Sequence, residues 1–140
     1  MATTGKFVGR VAKTETDTYG LGRWCYTCLS GRYGKKIYLV TSYRVSQESS
    51  SAGEFTAHKQ QVRLLRKREI DNPNPKKQWG EDLGPIIKEW VAQGASVLLM
   101  LDANSPLIDA NFSKFIKSHF IIGSHIDQYT ASTRQIHIFK

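Results

Sequence analysis

Five consecutive apolar residues, Val97 to Leu101, run straight into Asp102, Ala103 and Asn104. A short unbroken apolar run is the pattern of a strand covered on both faces of its sheet. Asp102 and Asn104 then sit where that strand emerges, and in α/β folds ligands and catalytic groups gather at the carboxyl ends of strands. Side chains two apart on extended chain point the same way, so both can face one ligand. Asp and Asn also favour turns and helix caps, and a plain strand-ending turn is the alternative for the same residues.

A chain of 140 residues fits one domain, 1–140, with a core large enough to need no metal or disulfide staple. Its formal charge of +8 is unevenly spread. Residues 1–44 carry eight basic and two acidic side chains, residues 55–78 seven and two, and residues 79–140 five and six. Such a field favours a polyanion such as DNA or RNA, bound with steep salt dependence. A basic protein without that partner is the alternative. Cys25 and Cys28 stand as CYTC within a strand-like stretch, with no second ligand pair, and are expected as ordinary strand positions on opposite faces. No apolar segment approaches 18 residues and Met1–Gly9 lacks a signal-peptide pattern, so the expectation is a soluble, intracellular protein without membrane contact.

Along the chain, KFVGRVAK (6–13) suggests a short strand or a strand end and TETDTYGLG (14–22) a polar loop. RWCYTCLS (23–30) and KKIYLVTSY (35–43) are rich in β-branched and aromatic residues, and Gly31–Gly34 joins them as an antiparallel hairpin. Residues 45–54 form a Ser/Gly loop. Phe55, Val62, Leu65 and, at its margin, Leu64 fall near one face of a helix over 55–69, whose other faces carry Lys59, Arg63, Arg66, Lys67 and Arg68. NPNP at 72–75 makes a rigid loop. A second helix starts near Trp79, with Gly84 and Pro85 in its first turns, Glu81 and Asp82 near its positive end and Gly94 closing it. Strand 95–101, a helix near 109–119 and a strand at 134–140 complete a mixed sheet with helices packed on it.

The stretches GLGRWCYTCLSGRYGKKIYLVTSYRV, GEFTAHKQQVRLL and NPNPKKQWGEDLGPIIKEWVAQGASVLLMLDANS, in that order, resemble the endonuclease/exonuclease/phosphatase superfamily, the deoxyribonuclease I-like fold. The likeness is nearest to retroelement-type endonuclease domains and spans roughly residues 9 to 139. It implies a partial two-sheet sandwich with helices on its outer faces and a Mg²⁺-assisted phosphodiesterase site. It further implies that Asp102 and Asn104 hold the attacking water and the scissile phosphate, with Tyr43 near that phosphate. The chemistry of these side chains agrees: a carboxylate orients water, an amide donates to a phosphate oxygen, and a phenol stabilises developing charge. Arg44 is the neighbouring candidate for a phosphate contact.

Several parts that the resemblance implies are missing. The family's early Asn and metal-binding Glu have no match, and Glu15 and Asp17 are expected as solvated loop acids. His137 stands where the resemblance expects an Asp, in an alternating strand that suits a partly buried polar residue. The closing Asp-His pair would fall beyond Lys140, and His125 and Asp127 are expected as loop residues. Asp102 alone makes a weak Mg²⁺ ligand set. The resemblance therefore implies a nuclease-derived domain, incomplete at both ends, with an incomplete catalytic set. The alternatives are a non-catalytic nucleic-acid binder using Arg44, Lys59, Arg63, Arg66, Lys67, Lys76 and Lys77 on backbone phosphates, or an assembly protein that self-associates through an exposed sheet edge.

Overall fold

The computed structural model describes residues 5–46, 53–104, 110–119 and 135–139. Its architecture is mixed α/β: strands β1 (Val11–Thr16), β2 (Trp24–Ser30), β3 (Lys36–Tyr43), β4 (Ser96–Asp102) and β5 (Gln135–Phe139), with helices α1 (Ala57–Lys67), α2 (Pro75–Ala92) and α3 (Ala110–His119). The strands lie in the order β1-β2-β3-β4-β5 in one sheet. All pairs are antiparallel except β3 and β4, which run parallel with α1 and α2 between them in sequence.

β2 and β3 form the expected hairpin, turning through Tyr33 and Gly34, both at positive φ. At its amino end the chain departs from expectation. Gly5–Arg10 forms a 3-10 turn instead of a strand, consistent with two glycines in GKFVGR weakening extended structure. The strand instead begins at Val11 and runs through residues expected to be loop, because Thr14, Glu15 and Thr16 pair with Thr27, Tyr26 and Cys25. Glu15 is thus a strand residue, bonded by the Tyr26 hydroxyl and by Lys13 at 2.7 Å. Burial first, then the bond to Glu15, pushes the Tyr26 phenol up to about 12.

α2 also starts earlier than its apolar periodicity suggests. Pro75 occupies its first turn and the Asn74 side chain caps it, accepting from the Lys77 amide at 3.1 Å. Pro85 consequently lies in the helix interior, where it has no N–H to offer the Glu81 carbonyl.

One face of the sheet carries the core. Trp24, Tyr26 and Cys28 of β2, Tyr38 and Val40 of β3, and Val97, Leu99 and Leu101 of β4 are buried under Trp79, Leu83, Ile87 and Trp90 of α2 and Phe112 and Phe115 of α3. The Tyr38 and Trp90 rings stack at 4.0 Å, and the Trp79 indole donates to Ser42 Oγ at 2.8 Å. A Cβ at Gly80 would meet the Phe115 ring at 3.3 Å, so the missing side chain lets α3 lie close on α2.

The other face corrects an expectation. Leu98 and Met100 are only half-buried, as are Cys25, Leu29 and Leu39 in the same layer, while Ile37 is exposed. The apolar run of β4 is covered on one face and partly open on the other, because α2 and α3 cover the same side. Cys25 and Cys28 do fall on opposite faces, both unbridged. Among the described residues no helix is long and apolar enough to cross a membrane.

Candidate functional site

Because β3 and β4 are parallel, their carboxyl ends lie side by side. Tyr43 is the direct register partner of Asp102, and Gln135 of β5 flanks Asp102 on its other edge. The Arg44 amide continues the ladder by donating to the Asp102 carbonyl at 2.8 Å. Alternation sends Ser42, Leu101 and Ala103 into the helix-covered core, whereas Tyr43 is 36% exposed and Asp102 half-buried. Two of the three side chains that the resemblance selects, Tyr43 and Asp102, therefore stand together at one corner of the sheet.

Asn104 is placed differently. Its φ of 44° is left-handed, a conformation Asn tolerates better than most residues, so the period-two alternation ends before it. The amide Nδ2 donates to the Arg44 carbonyl at 3.0 Å, and the Asn104 carbonyl accepts from Lys76 Nζ at 2.9 Å. Asn104 thus ties the end of β4 to the end of β3 and to the first turn of α2, as well as lying two residues beyond Asp102.

The basic residues divide sharply. Arg44, the candidate for a phosphate contact, is 4% exposed; its guanidinium lies 5.3 Å from the Phe112 ring centroid and Nε donates to the Lys76 carbonyl at 3.3 Å. Lys59 and Arg63 both meet Glu54, at 3.1 and 2.6 Å. Lys77 pairs with Glu81 one turn along α2 at 3.1 Å. Arg66 and Lys67 are exposed on α1.

A second polar cluster was misjudged from sequence. Asp17, expected as a solvated loop acid, is buried and grips Arg23 through two bonds, at 2.7 and 3.1 Å. Arg23 is 1% exposed, donates to Asp82 at 2.8 Å and stacks 4.4 Å over Trp24. Arg68 and Gln78 complete the shell of Asp82, at 3.0 and 2.9 Å. Burial works to raise the Asp82 pKa, but the bonds from Arg68, Gln78 and Arg23 outweigh it and hold the carboxyl below its ordinary value. The Arg23 carbonyl meanwhile accepts from the Tyr43 amide at 2.8 Å and from Ser42 Oγ at 2.9 Å. This cluster anchors the strand end that carries Tyr43. The only sequence signal for it was an arginine directly before a tryptophan.

Comparison with family models gives no match, nor does comparison with curated proteins. Among solved structures, beta toxin 275-280 from Staphylococcus aureus is similar over 76% of this chain and 35% of its own, with a TM-score of 0.39 and 11% identity.

Mg²⁺ is usually held by one or two carboxylates together with substrate phosphates and waters. Asp102 has Tyr43 and Gln135 as strand neighbours, and among the described residues no three His, Cys, Asp or Glu side chains gather at one point. His125 and Asp127 lie outside the described residues, and His137 is placed by its backbone, opposite Met100.

Proposed function

We propose that the chain is a nuclease-derived, deoxyribonuclease I-like unit that binds the phosphodiester backbone of nucleic acid, with Tyr43, Asp102 and Asn104 marking the corner at which such nucleases act. The observation that carries this is the register of β3 and β4, which sets Tyr43 beside Asp102 at adjacent strand ends. A phenol and a carboxylate so placed suit contact with a phosphate oxygen and with a water in line with it. The formal charge of +8 supports a polyanionic partner. In the family's full two-sheet sandwich a second sheet covers the face that Leu98 and Met100 leave half-open here. A magnesium ion here would be held by Asp102 together with a further carboxylate or with substrate phosphates, and would neutralise charge on the phosphodiester.

The test is to incubate supercoiled plasmid with the protein, in Mg²⁺ or EDTA, beside Asp102→Ala, while measuring oligonucleotide binding against salt. The expected result is salt-sensitive binding in both proteins with no nicking above the variant. Nicking that requires metal and Asp102 would show a working nuclease; absence of binding at low salt would remove nucleic acid as the partner.

Self-association through a sheet edge is a second reading, favoured by β1 and β5 lying outermost. A register shift between Val11 and Lys13, and the Lys13 charge itself, blunt the β1 edge. Dimers in sedimentation equilibrium at micromolar concentration would favour it; a monomer throughout would dismiss it.

A further inference from the structure

We propose that one strand of nucleic acid lies in a track at the amino end of α2, formed by two adjoining cavities, and not along the outer face of α1. The proposal rests on the nucleic-acid reading above and names the surface that performs it. The larger cavity, about 580 Å³, opens between α2 and α3 and is walled by Arg44, Lys76, Lys77, Lys114 and Glu81 over an apolar floor that includes Pro85. The smaller, about 300 Å³, is lined by His58, Asn72, Pro73, Asn74 and Lys76. Asn74 and Lys76 belong to both, so the two form one path from α1 across the start of α2 to α3.

Three features select the occupant. The described charged groups of the larger cavity are four cations and one carboxylate, and that carboxylate, Glu81, already meets Lys77. The concavity continues past Lys76, which suits a linear ligand with repeated anionic groups better than a single ion. The wall chemistry alternates cations with apolar floor and, in the smaller cavity, two Asn amides, matching the alternation of phosphate, sugar and base along a strand. Lys76 also joins the track to the candidate corner, since its ammonium reaches the Asn104 carbonyl.

The competing surface is built differently. The depression on α1 is lined by Gln60, Arg63, Leu64, Arg66 and Lys67, all from one helix, so its shape depends on the rotamers of its own long side chains. Lys59 and Arg63 there are shared with Glu54. Lys114, which the sequence did not single out, is the residue that this assignment adds.

The experiment compares Lys77→Glu/Lys114→Glu with Arg66→Glu/Lys67→Glu for binding of fluorescein-labelled oligothymidylate across a salt series. All four positions are exposed, and near-ultraviolet circular dichroism of each variant checks that the tryptophan core is intact. The track pair is expected to weaken binding about tenfold or more and to flatten the log–log salt slope by roughly 1.4, two phosphate contacts at about 0.7 each. The α1 pair should stay within about threefold. A Lys77→Arg/Lys114→Arg protein should bind as the parent does. If the α1 pair loses as much affinity as the track pair, or more, the track assignment is overturned while nucleic-acid binding stands. If the parent protein ignores oligothymidylate but binds polyglutamate, the nucleic-acid reading itself falls and the strand assignment with it.

Discussion

At the Arg23 cluster, Arg23, Asp17, Asp82 and Arg68 hold one another in a shell from which water is largely excluded, whereas on the outer face of α1 Lys59 and Arg63 meet the exposed Glu54, and Arg66 and Lys67 extend into solvent. Both regions are rich in arginine, yet their charges act oppositely. A desolvated ion is tolerated only while every partner stays in place, so removing one exposes the cost of burying the others. An exposed ion interacts through high dielectric and salt, and removing its partner changes little. The first kind of charge holds the fold; the second contributes little to it.

Arg23→Ala should produce the largest effect. It leaves the buried Asp17 carboxylate without its guanidinium, takes one of three donors from Asp82 and removes the ring stacking on Trp24, and the expected loss is about 3–5 kcal/mol of stability, measured by urea unfolding followed by tryptophan fluorescence. A loss below about 1 kcal/mol would mean that the cluster is wet and that the contrast with α1 is false.

Acid should reveal the same cluster more gently. The Asp82 carboxyl is held below its ordinary value, so the unfolded chain takes up a proton more readily than the folded one. Its contribution is complete above the unfolded pKa of about 4 and is lost as pH falls through the lower folded value. Melting temperatures from pH 7 to 2 should drop below about pH 4 in the parent protein, and less steeply in Asp82→Asn, which starts lower at neutral pH. Parallel curves for the two proteins would show that other carboxylates drive acid unfolding.

Glu54→Ala should do least to the fold. Its side chain is exposed, as is Arg63, and Lys59 is only half-buried, so the melting temperature should be nearly unchanged. A clear drop would place α1 on the structural side of the comparison.

The same contrast explains what was legible in the sequence. Local periodicity located the β2–β3 hairpin, the bodies of α1 and α2, β4, α3 and β5, although Phe55, expected on the apolar face of α1, is exposed and precedes that helix. The start of α2 was missed although Asn74 and Pro75 spell a cap and a first-turn proline, since NPNP also spells a rigid loop. Burial of Asp17 was not readable, because its meaning depends on Arg23, and Arg23 in turn on Asp82, 59 residues away. The half-open face of β4 was hidden for a related reason. An apolar run shows that a strand is inside something but not that its helices share one side. At the candidate corner, Tyr43 and Asp102 were each visible as strand ends, but their adjacency depends on parallel pairing, which neither strand specifies alone.

That parallel pair also fixes an order of events during synthesis. The hairpin of β2 and β3 closes through a short local turn, and β1 precedes it in the chain, so three strands are available before α1 is complete. The bonding edge of β3 waits for a partner whose residues, Ser96 to Asp102, arrive more than fifty positions later. Until then β3, with Leu39 and Val40 at its centre, is a border strand of the nascent sheet, and the interval is the stage at which misassembly with another chain competes with folding.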